Sequence, residues 1–354
     1  QATSTNRVKM YLNGSQITSF SSSSYPAQNY SNIMNSAVPH VFGKNADLSN
    51  EYFNGLMAST YFIDGQALTP SSFGETDATT GIWKPKSYSG TYGTNGFYLK
   101  FENSASLGTD SSGNGNNFTV NGTPTQTLDT PSNVFATWNY LSAYNSTTAG
   151  TLSAGNLKIS GTASNGGVAS TLGVSKGKWY FEAVCTTTTS GEPIFGVINS
   201  AGASKMQYAN SGAITSGSGV WCMVNLTSTY GFQENGVVAS YPSSLLANGD
   251  ILNIALDVDN TKIWYGKNGT WYNSGNPATG ANAISTNLTA NETWFFYNEK
   301  RATATVTSSN FGNGYFDTTA ISSPYSDGAG LGKFQYQPPS GYYALCTKNI
   351  NVYG

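Results

Sequence analysis

Charge is what this sequence has least of. Asp, Glu, Lys and Arg make up 10% of its 354 residues, and the formal net charge is −2. Ordinary soluble domains carry about 25% charged residues. No Lys/Arg cluster stands out along the chain. Nucleic-acid affinity rests largely on neutralising phosphates with such residues, so no nucleic-acid partner is expected. The chain has one histidine, His40, and three scattered cysteines, Cys185, Cys222 and Cys346. That supply excludes an ordinary four-ligand zinc site. It is also too thin for a disulfide framework; three buried thiols are expected, with a single bridge as the alternative. No apolar run is long enough for a spanning helix, and no signal peptide is expected from these residues. No long stretch has a 3.6-residue period; at most "TPSSFGE" (69–75) starts one helical turn. The chain opens at Gln1 without an initiator Met, which leads us to expect a piece of something longer.

What fills the gap is neutral and β-prone. Hydrophobic residues reach 38% and aromatics 13%, with 23 Tyr and 40 Gly. Solubility then rests on Ser, Thr, Asn and Gly, as on an extracellular or virion surface. Strand signals recur between Gly, Asn and Ser clusters at short spacing, the pattern of a sandwich or barrel. They include "RVKMYLNG" (7–14), "GFYLKFE" (96–102), "GKWYFEAV" (177–184), "GVWCMVN" (219–225), "TWFFYN" (293–298) and "YYALCTKN" (342–349). The fold class expected is all-β. A domain boundary is expected near residues 81–96, and looser segments at 121–150 and 317–341.

The segment "GDILNIALDVDNTKIWYGKNGTW" (249–271) poses a sharper question. Asp257 and Asp259 open like a calcium loop, but such a loop needs Gly at its sixth place and Glu at its twelfth. Those places hold Lys262 and Asn268. The alternation of Ile254, Leu256 and Val258, then of Ile263 and Tyr265 against Lys262 and Trp264, predicts a hairpin with one buried face. Asn268-Gly269 predicts a second tight turn, because both residues tolerate positive φ.

These residues carry a family resemblance. "GKWYFEAV", "FGVINSAG" (195–202), "NGDILNIALDVDNTKIWYGKNGTWYNSG" (248–275) and "SSNFGNGYF" (308–316) follow the order of a SPRY (B30.2-like) domain. The resemblance covers roughly residues 155–320. It implies a bent two-sheet jelly-roll sandwich that binds ligands and has no catalytic centre. "NRVKMYLNGSQI" (6–17) resembles a strand and turn of a laminin-G/concanavalin-like domain, and "EYFNGLMASTYFIDGQALTPSSF" (51–73) its closing strands. The first strands of that domain would precede Gln1. "ASLGTDSSGNGNNFTVNG" (105–122) resembles an opening element of the same superfamily, with "YYALCTKN" as its closing strand. The expectation is two jelly-roll sandwiches in tandem: residues 1–90, the C-terminal part of the first plus a linker, and residues 91–354, the SPRY-like second. The whole arrangement is similar to tail-fibre and appendage proteins of tailed bacteriophages. That resemblance implies a place on a virion surface, other virion subunits as neighbours, and a trimer as one assembly.

Glycoside hydrolysis needs two carboxylates flanking one bond, and catalytic members of this superfamily present them as E-x-D-x-E. Glu182 in "WYFEAV" comes nearest and has no partner two or four residues away. "GVSKG" (173–177) spells a nucleophile elbow, but a strand follows it where a helix is required. "GAGLGK" (328–333) resembles a phosphate loop, yet Asp327 and Phe334 stand where the motif needs Gly and Ser or Thr. His40 reads as a loop or edge residue. Sequons such as those at Asn13, Asn225 and Asn291 matter only in a secretory pathway. No catalytic residue is expected.

Two sets of binding residues remain. "DSSGNGNN" (110–117) alternates oxygen donors at Asp110, Ser112, Asn114 and Asn116. Hard cations want six to eight oxygens, so this is a weak calcium loop or a plain Gly/Asn turn. Trp83, Tyr88 and Tyr92 in "IWKPKSYSGTY", and Trp271 and Tyr272 in "TWYNSGNP", are loop aromatics. Such rings stack on sugars or anchor protein contacts, or else pin their loops down. The function expected is non-enzymatic host attachment through a bacterial surface glycan or protein, with an architectural virion role as the alternative.

Overall fold

The structure is a computed structural model. It describes all residues except 31, 32, 34, 46–50, 54, 79, 80, 82, 131, 143–149, 161–165, 187–192, 207–218, 226–229, 236, 241–245 and 301–304. The chain divides into two compact units, one of residues 1–126 and 130–132, the other of residues 127–129 and 133–354. The division falls later than the boundary expected near residues 81–96.

In the first unit the strands are β1 (Met10–Leu12), β2 (Ser15–Ile17), β3 (Thr60–Phe62), β4 (Gly74–Thr76), β5 (Trp83–Pro85) and β6 (Phe97–Leu99). They pair in twos, β1 with β2, β3 with β6 and β4 with β5. The β3–β6 pair ties together residues on both sides of the expected boundary, which is why no division falls there. β1 and β2 are joined by Asn13-Gly14 with φ of 50° and 80°, the positive-φ turn that matches strand twist. The segment 51–73, which resembles closing strands, supplies β3 and a single 3-10 turn at Pro70–Ser72. Met10, Leu12, Phe20, Phe42 and Phe53 are exposed.

The second unit holds two large sheets. Its strands begin with β7 (Trp138–Asn139), β8 (Thr151–Ser153), β9 (Lys158–Ser160), β10 (Gly166–Ser170), β11 (Lys178–Cys185) and β12 (Pro193–Asn199). Helix α1 (Ser200–Met206) follows, then β13 (Val220–Asn225), β14 (Tyr230–Glu234), β15 (Val237–Ser240), β16 (Ile251–Asp257), β17 (Lys262–Lys267) and β18 (Thr270–Trp271). The last elements are β19 (Trp294–Lys300), β20 (Thr307–Asn310), the hairpin β21 (Tyr315–Phe316) and β22 (Thr319–Ala320), β23 (Tyr343–Ala344) and helix α2 (Thr347–Tyr353). One sheet runs β15-β14-β13-β12-β19-β10-β7 and the other β18-β17-β16-β11-β20-β9-β8, with β23 also on β11. Every pairing is antiparallel except β11 with β23.

The main core fills the space between the sheets. β11 contributes Trp179, Phe181 and Ala183, β16 Leu252, Ile254 and Leu256, and β12 Phe195 and Val197. Alternate residues on these strands point outward, yet they are buried too. Beyond one sheet, Tyr180, Ala255 and Trp264 pack with Phe135, Phe334, Tyr342 and Ala344. Beyond the other, Ile194, Ile198, Val220 and Cys222 form a smaller cluster. The central strands therefore read as nearly continuous apolar runs rather than one-faced alternation. Trp264, expected on the open face of the hairpin, is fully buried. Val258 lies in the turn after β16 rather than in the strand. "YYALCTKN", expected as a closing strand, gives only the two residues of β23 before α2. The chain there spends its groups elsewhere: Ala136 N–H donates to the Leu345 carbonyl at 2.9 Å and Thr347 N–H to that of Val134 at 3.0 Å. Asn349, inside the helix, donates to the Asp327 carboxylate at 2.8 Å.

Cys222 and Cys346 are buried thiols without a disulfide; the side chain of Cys185 lies outside the described residues. Among the described residues no helix is long and apolar enough to cross a membrane.

Candidate functional site

The hairpin expected at 251–267 forms in register, with Asp257 opposite Lys262 and Leu252 opposite Lys267. Asp257 is held inside it. Its Oδ1 accepts Asn260 N–H at 3.0 Å, its Oδ2 accepts the Asn260 amide at 2.9 Å, and Lys178 Nζ stands 3.2 Å away. Asp259 Oδ1 accepts Gly177 N–H at 2.9 Å, closing the "GVSKG" segment as a turn ahead of β11. The aspartates of "DVDN" thus serve turn geometry.

The next turn, Asn268-Gly269, joins β17 to β18 with φ of 51° and 79°. Asn268 Oδ1 accepts Ile251 N–H at 2.8 Å, and its amide donates to Asp250 at 2.7 Å. Lys267 Nζ is 2.6 Å from Asp250. Burial pushes the Asp250 carboxyl up, but Lys267, Ala247 N–H and the Asn268 amide together hold it below the usual carboxylate range. A Cβ at Gly269 would stand 2.6 Å from the Tyr336 ring, so only glycine lets that ring lie on the turn.

Beyond this turn lies an open surface depression of ≈ 500 Å³, lined by Lys267, Asn268, Thr270, Trp271, Tyr272, Asn273 and Ser274. Both aromatics expected from "TWYNSGNP" border it, in different ways. Tyr272 is 6% exposed and belongs to the core, 5.5 Å edge-on to Phe232. Trp271 is half-buried, its ring edge-on to that of Tyr180 with centroids 6.4 Å apart. Asn273 and Ser274 follow with φ of 56° and 50°. That left-handed backbone is costly for Ser and is fixed by a Gly275 N–H bond to the Tyr272 carbonyl at 3.0 Å. The rim thus holds one half-buried ring, a set of amides and hydroxyls, and Lys267 paired with Asp250, on the edge of a packed sheet.

Glu182 sits behind this rim, fully buried. Its Oε1 accepts Tyr336 N–H at 2.8 Å and the Tyr180 hydroxyl at 3.0 Å. Its Oε2 accepts Gln335 N–H at 2.8 Å and the Asn310 amide at 3.3 Å. Burial outweighs these four donors and pushes the carboxyl up to about 7. Sequence reasoning weighed Glu182 only as half of a hydrolytic pair. Its partners other than Tyr180 come from residues 310 and 335–336, too distant in sequence to be foreseen.

The linker aromatics occupy the first unit. Tyr88 and Tyr92 join Tyr61, Phe73 and Tyr98 in a half-buried ring cluster, with Tyr61 and Tyr98 stacked at 4.2 Å and Tyr88 edge-on to Tyr92 at 5.3 Å. Burial and the neighbouring Tyr98 push the Tyr61 hydroxyl well above its ordinary range. Trp83 is separate from them; its indole lies over Gly14 and Gly74, where any Cβ would collide with it. These rings hold short hairpins together.

The Asp110 loop is also spent on itself. The carboxylate accepts N–H groups of Tyr98, Ser112 and Asn116 at 2.8–2.9 Å and the Ser112 hydroxyl at 2.8 Å. Burial raises its pKa, but these donors prevail and hold it below the ordinary value. The Asn114 amide donates to the carbonyls of Gly93 and Gly96, that of Asn116 to Thr94 and Gly96. Donors aimed at the one carboxylate do not fit a hard cation, and among the described residues no three His, Cys, Asp or Glu side chains cluster. "GAGLGK" is likewise anchored, with Ala329 and Leu331 N–H on Asp327 Oδ1 at 3.2 and 2.9 Å. His40 is exposed and accepts Asn35 N–H at 3.2 Å.

No family model matches the chain, and no curated protein matches it. Among solved structures 202 chains match. The SPRY domain of human HERC1 is similar at 15% identity over 49% of this chain and 96% of that one, with a TM-score of 0.37. The TRIM65 PSpry domain is similar at 11% identity over 50% of this chain and 92% of that one, with a TM-score of 0.36.

Proposed function

We propose that the chain is a non-enzymatic adhesin of a virion surface, of the tail-fibre or appendage kind found on tailed bacteriophages. Its SPRY-like second unit recognises a glycan or a protein on the surface of a bacterial cell. The observation that carries this reading is the depression at 267–274, where Trp271 presents a half-buried ring among Asn268, Thr270, Asn273 and Ser274. A ring flanked by amides, hydroxyls and a lysine already paired with Asp250 suits a sugar face or a polar peptide. Loops held by a packed scaffold are where recognition residues concentrate. Multivalent display would raise a shallow contact to useful avidity.

The test is binding of the purified chain to a panel of bacterial cells and surface polysaccharides. Saturable binding to one of them is expected, weakened tenfold or more by Trp271→Ala, the loss of one anchoring aromatic. Chelator is expected to leave it unchanged; loss of binding in EDTA would return a cation to the Asp110 loop. Full binding by the Trp271→Ala protein would end this assignment of the site.

An architectural role has one observation in its favour. The first unit exposes Met10, Leu12, Phe20, Ile33, Phe42 and Phe53, and large apolar side chains left open to water are what a neighbouring subunit would cover. Sedimentation would show self-association, lost in Leu12→Ser with Phe53→Ser, if neighbouring subunits cover those residues.

A further inference from the structure

The hydrogen bonds around Glu182 have a direction that backbone groups dictate. Gly269 N–H can only donate, so Asn253 Oδ1 accepts it, at 2.8 Å. The other end of that amide, Nδ2, then donates to the Tyr180 oxygen at 2.8 Å. The Tyr180 hydroxyl is left to donate to Glu182 Oε1 at 3.0 Å. From the covering segment, Gln335 and Tyr336 N–H also donate to Glu182. Every group at the carboxylate points a hydrogen at it, and only the ionised form accepts them all.

A proton on Glu182 needs an acceptor. Taking the Tyr180 oxygen turns the tyrosine's own hydrogen toward Asn253. That amide must then flip, and it gives up Gly269. The same turn carries the Tyr336 ring, and Trp271 leans on Tyr180. The relay therefore reaches two residues that line the depression, Asn268 through its shared turn and Trp271 through Tyr180.

We propose that Glu182 is a positioning residue for the depression at 267–274: its ionised carboxylate fixes the Asn268-Gly269 turn through Tyr180 and Asn253, and its protonation releases that turn, so that binding there depends on pH. The inference rests on reading the depression as the recognition site. Among the described residues two titratable side chains face the carboxylate, Tyr180 from its own strand and Tyr336 from the covering segment, and burial raises both hydroxyls. Asn253 of β16 and Asn310 of β20 carry no charge. Lys333 reaches Asn310 only by its carbonyl, at 2.9 Å, while its side chain lies along Gly314. Among the described residues no cation pairs with the carboxylate, and burial has pushed it up to about 7.

The test needs no ligand. Amide shifts of Gly269, Gln335 and Tyr336 are followed in the full isotope-labelled chain from about pH 5 to about pH 9. All three are expected to move with one midpoint, near 7, and to stay flat in Glu182→Gln. Tyr180→Phe cuts the relay and keeps the carboxylate, so Gln335 and Tyr336 should still titrate while Gly269 does not. A Gly269 amide that is flat in the unaltered chain, or that still titrates in Tyr180→Phe, overturns the proposal. Unchanged cell binding by Trp271→Ala overturns the recognition reading instead and leaves the amide result to decide the relay.

Discussion

Trp271 and Tyr272 are chain neighbours whose side chains part company at the end of β18. Tyr272 goes into the core against Phe232, while Trp271 stays at the rim. Tyr272→Ala is expected to cost about 3–5 kcal/mol, the range for a large buried aromatic, read as a lower urea midpoint. Trp271→Ala should cost clearly less in the same measurement. Glu182 makes a second prediction at this scale. Its folded value is about 7 against 4.5 for the ordinary group, so the folded chain keeps a proton that the unfolded chain releases between them. Its contribution is fully present below about pH 4.5 and is lost as pH rises through about 7, a loss on the order of 3 kcal/mol. Urea unfolding at the two ends of that window checks it, and Glu182→Gln should flatten the difference. Which loop aromatics are rings at a surface and which are core was not legible from residue type. Tyr272 and Trp271 differ only in the direction that the local backbone gives them.

At the scale of elements, the turns were the most legible feature. Asn13-Gly14 and Asn268-Gly269 both adopt the positive φ that their composition requires, because such turns are decided by two residues and need no partner. Gly269→Ala is expected to cost about 1–3 kcal/mol through left-handed strain, and more because its Cβ meets Tyr336; circular-dichroism melts would show the lowered midpoint. The hairpin at 251–267 was legible for the same local reason. The segment from Asp327 to α2 was not, since what shapes it is remote. Asp327 gathers Ala344 N–H and Asn349, and Glu182 gathers residues 335 and 336. Looseness in composition hid a segment ordered by two buried carboxylates.

For the molecule as a whole, the sandwich was legible because strand-length apolar runs recurred between turns. Its outer layer was not, because burial on both faces erases the alternation that marks an inside. The first unit, whose described strands pair only in twos, shows how little a strand signal says about sheet width. A chain of residues 127–354 holds both large sheets and is expected to unfold cooperatively by itself. Ending that chain at residue 324 removes Phe334, Tyr342 and Ala344 from the outer face and uncovers Tyr180, Ala255 and Trp264. Strong binding of a hydrophobic dye by the shortened chain, and little by the longer one, is the expected result.

The junction of residues 133–136 with 344–348 has a mechanical meaning. Phe135 and Cys346 face one another in an antiparallel bridge, flanked by Ala136 to Leu345 and Thr347 to Val134. Tension applied through the chain on either side of this junction pulls from the same end of that pair. Its bonds are then stretched one after another, as a zipper opens, and are never sheared together. The load would next reach β23 on β11, so the covering segment would leave the sheet before the two large sheets parted.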